Sequence, residues 1–192
     1  MIELKNIVFS YGNQQILDDF NLYVKDGECV NLSGVSGSGK TTIIRLVLGL
    51  EKPQSGIVTA PKKISCVFQE DRLVENINVI NNIRLPLKSH QYPLADELLK
   101  RLNLSGIAKK RVDELSGGMK RRIAIIRAIA YGGDALILDE AFNGIDYENK
   151  IIIADIIKQE FLDKGKPVIM ITHIKEDAEF LTARTINIKG DR

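Results

Sequence analysis

Hydrophobic and polar positions divide the chain into stretches of different period. Ile2–Phe9, Phe20–Val24 and Cys29–Ser33 alternate or run apolar, and turn residues at Tyr11-Gly12-Asn13 and Lys25-Asp26-Gly27 separate them, so three short strands are predicted. A glycine-rich stretch follows. The spacing then predicts a helix from Lys40 to Leu50, ended by Pro53, Ser55 and Gly56, with strands at Gly56–Thr59 and Ile64–Phe68 beyond it. From about Asp71 to Ala130 the apolar residues recur at helical spacing, first Ile77, Ile80 and Ile83, then Leu98, Leu99 and Leu102. No strand-like run interrupts them, so residues 71–114 are expected to form a helical insertion, continued to about residue 130 by a further helix, Lys120–Ala130. Ala135–Leu138 and Pro167–Ile171 then run continuously apolar, the mark of strands covered on both faces. A predicted helix, Tyr147–Lys164, separates them, as a right-handed βαβ unit requires.

Composition narrows the class without changing this outline. The chain has 192 residues, 44% hydrophobic and 27% charged, enough for one domain with a core and a solvated surface. Its 27 basic and 25 acidic residues nearly cancel, which gives no support to nucleic acid or an anionic membrane as a bulk electrostatic partner. Cys29 and Cys66 sit in apolar strand-like segments without metal or redox spacing, and are expected to be reduced core residues. The N-terminus runs into a strand pattern where a signal peptide would need an apolar region. The most apolar stretches, Ile123–Ala130 and Ile151–Ile157, are far shorter than the roughly 18 residues that span a bilayer. The expectation is a cytoplasmic protein brought to a membrane only by another chain.

The glycine-rich stretch carries the first chemistry. Gly34-Val-Ser-Gly37-Ser-Gly39-Lys40-Thr41 satisfies the P-loop pattern, directly after a strand and opening a helix. Glycines let backbone N–H groups curl around phosphates where side chains would collide, and the helix start adds partial positive charge. Lys40 suits the β- and γ-phosphates, and the Thr41 hydroxyl suits Mg²⁺. A flexible Gly/Ser turn would share the composition but not the strand and helix around it.

Asp139-Glu140 ends a buried strand, where ligands of parallel sheets sit. Asp139 is expected to serve Mg²⁺, through water, and Glu140 to be a general base that polarises the attacking water. Alone, the pair reads equally well as a solvated strand end. A second glycine motif, Leu115-Ser116-Gly117-Gly118-Met119, opens a helix with Ser116 as a good N-cap. It is a second phosphate-seeking helix start in a chain that already has one.

Together these residues bring a resemblance into view. Leu115-Ser-Gly-Gly-Met-Lys-Arg-Arg resembles the signature motif of ABC ATPases, and it lies between P-loop and acidic strand as in that family. Tyr11 matches the aromatic that stacks on adenine, Gln69 the Q-loop glutamine, Asp146 the D-loop aspartate and His173 the switch histidine. The resemblance spans almost the whole chain. It implies an α/β fold, that of a P-loop NTPase of the ABC ATPase type. A RecA-like parallel-sheet core would carry an N-terminal antiparallel β subdomain and an inserted α-helical subdomain, approximately residues 71–130, within a single domain of residues 1–192.

The implied activity is ATP hydrolysis in a head-to-tail dimer, with ATP and Mg²⁺ as cofactors. Catalytic roles fall on Glu140, His173 and Gln69, and metal binding on Thr41, Gln69 and Asp139. Nucleotide contacts fall on Tyr11, on Gly34, Ser36, Gly37, Ser38, Gly39, Lys40, Thr41 and Thr42, and on Ser116, Gly117, Gly118 and Asp146. Two phosphate-seeking loops in one chain make sense if each ATP is held by one subunit's P-loop and the other's signature. Arg121 and Arg122 are expected at the surface or between domains, and His90 in an ordinary loop.

The implied partners are a second copy or a paired ABC ATPase subunit, a transmembrane permease subunit docked beside Gln69, and for import a solute-binding protein, with no nucleic acid. The chain would lie peripherally on the inner face of the cell membrane. Phe68-Gln-Glu-Asp-Arg-Leu73, Met119 and Asp139-Glu-Ala-Phe142 resemble importer subunits of the nitrate/sulfonate/taurine group. Ala141 replaces the usual proline, the D-loop reads Asn143-Gly-Ile-Asp146, and the Trp-containing segment of that group is absent. An exporter or lipid-related transporter is the alternative. A non-transport ABC ATPase of DNA repair or translation stands further off, since no coiled-coil insertion, zinc module or tandem cassette occurs. Little chain follows His173, so no regulatory domain is expected.

Overall fold

A computed structural model describes residues 1–188. Two sheets organise it. The first is antiparallel, with β1 (Ile2–Tyr11) between β2 (Gln14–Val24) and β4 (Ser55–Thr59). The second is fully parallel, in the order β5 (Ile64–Val67), β6 (Ala135–Asp139), β7 (Val168–Ile171), β3 (Cys29–Ser33) and β8 (Arg184–Asn187). Helix α1 (Lys40–Val47) packs between the sheets. Helices α2 (Val79–Arg84), α3 (Tyr92–Arg101) and α4 (Gly117–Tyr131) build the insertion, and α5 (Tyr147–Glu160) and α6 (Lys175–Phe180) flank β7 in sequence.

The apolar runs of β6 and β7 are covered on both faces, as continuous hydrophobicity predicts. Ala135, Ile137, Ile169 and Ile171 join Val30, Leu32 and the α1 residues Ile43, Ile44 and Leu46 in one core, together with the inner face of the antiparallel sheet. Leu136, Leu138, Val168 and Met170 point the other way, into a second core with α2, α3, α4 and α5. The strand that carries the P-loop, β3, lies one position from the edge of the parallel sheet, paired with β7 on one side and β8 on the other. Both cysteines are free, and burial pushes both thiols up to about 12.

Several boundaries differ from the sequence reading. The helix expected to reach Leu50 ends at Val47, because Gly49 turns into the left-handed region with φ 68°. The helix expected to reach Lys164 leaves regular geometry at Phe161 and closes with a 3₁₀ turn before Gly165. Helix α4 starts at Gly117, not Lys120, because the Ser116 side chain caps it. Strand β2 begins well before Phe20, and α6 and β8 were not anticipated at all.

Candidate functional site

Strands β3, β6 and β7 end at the same edge of the parallel sheet, and one cleft of about 460 Å³ opens there. A larger depression, about 650 Å³, lies between the end of α1, β4 and Tyr131, away from these strand ends. In the cleft the loop after β3 turns into α1 at Gly39, whose φ of 92° suits glycine. A Cβ there would also lie 3.1 Å from Ile16 Cγ2 and 3.2 Å from Leu17 Cδ2. Lys40 is the first residue of α1, and its ammonium folds back over the loop. It donates to the carbonyls of Gly34 at 2.7 Å and Val35 at 2.8 Å, and to Ser38 Oγ at 3.4 Å. A cation only 9% exposed needs such partners.

Across the cleft stand the carboxylates that end β6. Asp139 is buried, and burial, helped by the Glu140 charge, pushes its carboxyl above the usual range; Arg121 and Lys40 pull the other way. Glu140 bends the chain with a left-handed φ of 51°, while its N–H donates to Ile171 O of β7 at 3.0 Å. Both of its carboxylate oxygens are engaged. Asn143 Nδ2 donates to Oε2 at 2.9 Å, and His173 Nε2 lies 3.3 Å from Oε1. The backbone around His173 is itself anchored. Thr172 N–H donates to Asn31 Oδ1 of β3 at 3.1 Å, and Ile174 N–H to Thr172 Oγ1 at 3.1 Å.

The structure thus gathers Ser36, Gly37, Gly39, Lys40, Thr41, Thr42, Gln69, Asp139, Glu140 and His173 around one cleft. The hydroxyl of Thr41, the amide oxygen of Gln69 and the Asp139 carboxylate form an oxygen donor set of the kind Mg²⁺ prefers, and the buried acidic charge would be compensated by a cation. The residues present fit that ion.

Other expected site residues lie elsewhere. Tyr11 is outside the cleft lining: its ring packs edge-on against Phe9 at 4.8 Å, and its hydroxyl accepts from Arg45 at 3.3 Å. Its place at the end of β1, before the Gly12-Asn13 turn, leaves Gln14 and Ile16 of β2 to line that wall. Ser116, Gly117, Gly118 and Asp146 are also outside the cleft. Gly118 meets the loop that precedes Asp146: a Cβ on Gly118 would lie 2.7 Å from Gly144 O. Asp146 caps α5, accepting from Asn149 N–H at 3.1 Å, and Arg122 reaches Asn149 Oδ1 at 3.1 Å. The bonds from Asn149 hold the Asp146 carboxyl below the usual range.

Sequence reasoning missed the lining residues Gln14 and Ile16, ordinary β2 positions by type. It noted Asn143 only as a departure from the D-loop pattern, whereas its amide holds Glu140. Arg121, expected at the surface or between domains, is 12% exposed and bound to the loop that carries Gln69.

Comparison with known proteins finds a family and solved structures similar to this chain. The ABC transporter family profile matches residues 17–143. The chain is 35% identical to the aliphatic sulfonates import ATP-binding protein SsuB 1 of Rhodococcus jostii (strain RHA1), covering 96% of this chain and 78% of that protein. It is 32% identical to the spermidine/putrescine import ATP-binding protein PotA of Haemophilus influenzae (strain ATCC 51907 / DSM 11121 / KW20 / Rd), over 98% of this chain but only 55% of the relative. Among solved structures, a bacterial ABC transporter cassette in dimeric form superposes with a TM-score of 0.86 at 29% identity, covering 98% of this chain and 94% of that one. A dimeric post-hydrolysis state of the same cassette, bound to ADP and Pi, gives 0.85 at 28% identity.

Proposed function

The chain belongs to the ABC transporter family, and from that premise we propose that it is the ATP-hydrolysing subunit of an import system, working as a head-to-tail dimer. The observation that carries this reading is the split of the phosphate-seeking elements. Lys40, Asp139, Glu140 and His173 share one cleft, whereas Ser116 lies outside it, free to complete the cleft of a second copy. The dimeric form of the similar cassette supports the arrangement.

ATP enters with its phosphates along the loop, and Lys40 exchanges its carbonyl partners for phosphate oxygens. Thr41, Gln69 and Asp139 would hold Mg²⁺, which would supply positive charge against the phosphates. Glu140, oriented by Asn143 and His173, takes a proton from water as the water oxygen bonds to the γ-phosphorus. The bond from that phosphorus to the bridging oxygen breaks, and ADP and phosphate result. ATP closes the dimer because the closed state alone adds Ser116 of the partner to the γ-phosphate. Hydrolysis removes that advantage and the dimer reopens.

Among the described residues no helix is long and apolar enough to cross a membrane, so translocation falls to a permease subunit docked beside Gln69. The sulfonate and polyamine relatives support import of a small solute, which a solute-binding protein would deliver, and the sulfonate relative is consistent with the nitrate/sulfonate/taurine group. Glu140→Gln tests the chemistry. We expect ATP binding to persist, turnover to fall about a hundredfold, and an ATP-dependent dimer to accumulate on size exclusion. Turnover near that of the unaltered protein would remove Glu140 as the general base.

A further inference from the structure

The loop after β5 is held by arginines that reach it from far along the chain. Arg121, in the second turn of α4, donates through Nη1 to Phe68 O at 2.7 Å and through Nη2 to Gln69 O. The same guanidinium lies 3.2 Å from Asp71 Oδ1, and its side chain is only 12% exposed. Farther along α4, Arg127 donates to Asp71 O at 2.9 Å and to Arg72 O at 2.8 Å. Four carbonyls of one short loop therefore end on one helix. The loop needs such fixing, since Arg72 adopts a left-handed φ of 47°.

The same helix is capped by Ser116, and at that end it carries the motif that resembles the ABC signature. Gln69 lines the cleft of its own subunit, and Ser116 lies outside that lining. We propose that Arg121 is a positioning residue that ties the Gln69 loop to the Ser116 helix, so that the two move as one body. The chemistry favours this over simple packing. A planar guanidinium spanning two consecutive carbonyls fixes both the distance and the orientation of the loop, which a point charge cannot do.

The consequence concerns the two halves of the ATP machinery. A shift of Gln69 toward bound nucleotide is carried through Arg121 to the first turn of α4, and so to the Ser116 that serves the partner's nucleotide. The proposal rests on the reading of Gln69 and Ser116 as parts of two different ATP sites. A linked two-state element is the physical requirement, and the arginine clamp supplies the link.

Arg121→Met tests it, because methionine keeps helix propensity while removing every donor. Hydrogen exchange of residues 68–72 and 115–120 is followed with and without MgATP, alongside thermal melting, ATP affinity by calorimetry and turnover. We expect residues 68–72 to exchange about tenfold faster even without nucleotide. ATP affinity should stay within about twofold, while turnover falls about tenfold because the partner half of each site is misplaced. The nucleotide-induced protection of residues 115–120 should vanish while that of the P-loop persists. Arg121→Lys should restore none of this, since an ammonium cannot span both carbonyls.

Unchanged exchange at 68–72, unaltered ATP-induced protection at 115–120, or full rescue by lysine would overturn the clamp. Should Arg121→Met not fold, Arg121→Gln carries the same comparison with the same outcomes. Failure of the broader ATPase reading shows separately, as an unaltered protein that neither binds nor turns over ATP. The nucleotide-free exchange of residues 68–72 reads the clamp in either case.

Discussion

Gly117 and Gly118 are neighbours in sequence, yet only one of them is constrained by contact. A Cβ on Gly117 meets nothing within 4 Å, whereas one on Gly118 would press to 2.7 Å from Gly144 O. Helix propensity alone favours alanine at either position. Gly117→Ala is therefore expected to leave stability unchanged or raise it slightly, while Gly118→Ala should lose about 1–3 kcal/mol through forced backbone movement. Urea unfolding of the two variants distinguishes them, and equal stabilities would mean that the approach of the two loops is not tight. The same contrast shows what a sequence reveals at this scale. Lys40, Asp139 and Glu140 were legible because their types combine with adjacent strand and helix signals. Arg121 was not, since it acts through an approach that folding creates, 53 positions from Phe68, and Asn143 was not, since only the local turn after Glu140 brings its amide to that carboxylate.

At the scale of elements, the caps carry the clearest consequence. Asp146 accepts from Asn149 and starts α5, and those bonds hold its carboxyl below the usual range. A lowered folded-state pKa contributes stability above the unfolded value of about 3.9 and loses it as pH falls through the folded one. Asp146→Ala should thus melt at a lower temperature than the unaltered protein at pH 7, and the gap should close progressively in acid below about pH 4. A gap independent of pH would show that the carboxylate is not the capping group. Element recognition followed strength of pattern. The β3 boundaries, Cys29–Ser33, agree with the prediction because every residue but the last is buried. Strand β8, Arg184–Asn187, has no buried residue in its span, and α6 has six residues, too few for a helical period to show. The early part of β2, Gln14–Asp19, was masked by polar residues on both of its faces.

At the scale of the whole molecule, two cores share one parallel sheet, and β6 and β7 contribute alternate side chains to each. Their amides, with those of β3, should exchange with solvent only when the entire chain unfolds. Exchange at Val30 and Ile169 is accordingly expected to report the same free energy as urea unfolding, while β4, an exposed edge of the antiparallel sheet, exchanges faster. Equal protection of β4 and β3 would contradict the division. The pairing of β3 with β7 also sets a timetable for synthesis. Residues 29–33 leave the ribosome well over a hundred positions before their partner, residues 168–171. At about 5–20 residues per second, the apolar β3 segment waits on the order of ten seconds without its neighbour. During that interval β3, from which the P-loop springs, lacks both of its partner strands, β7 and β8, so the sheet that fixes the start of the loop forms only after both are made.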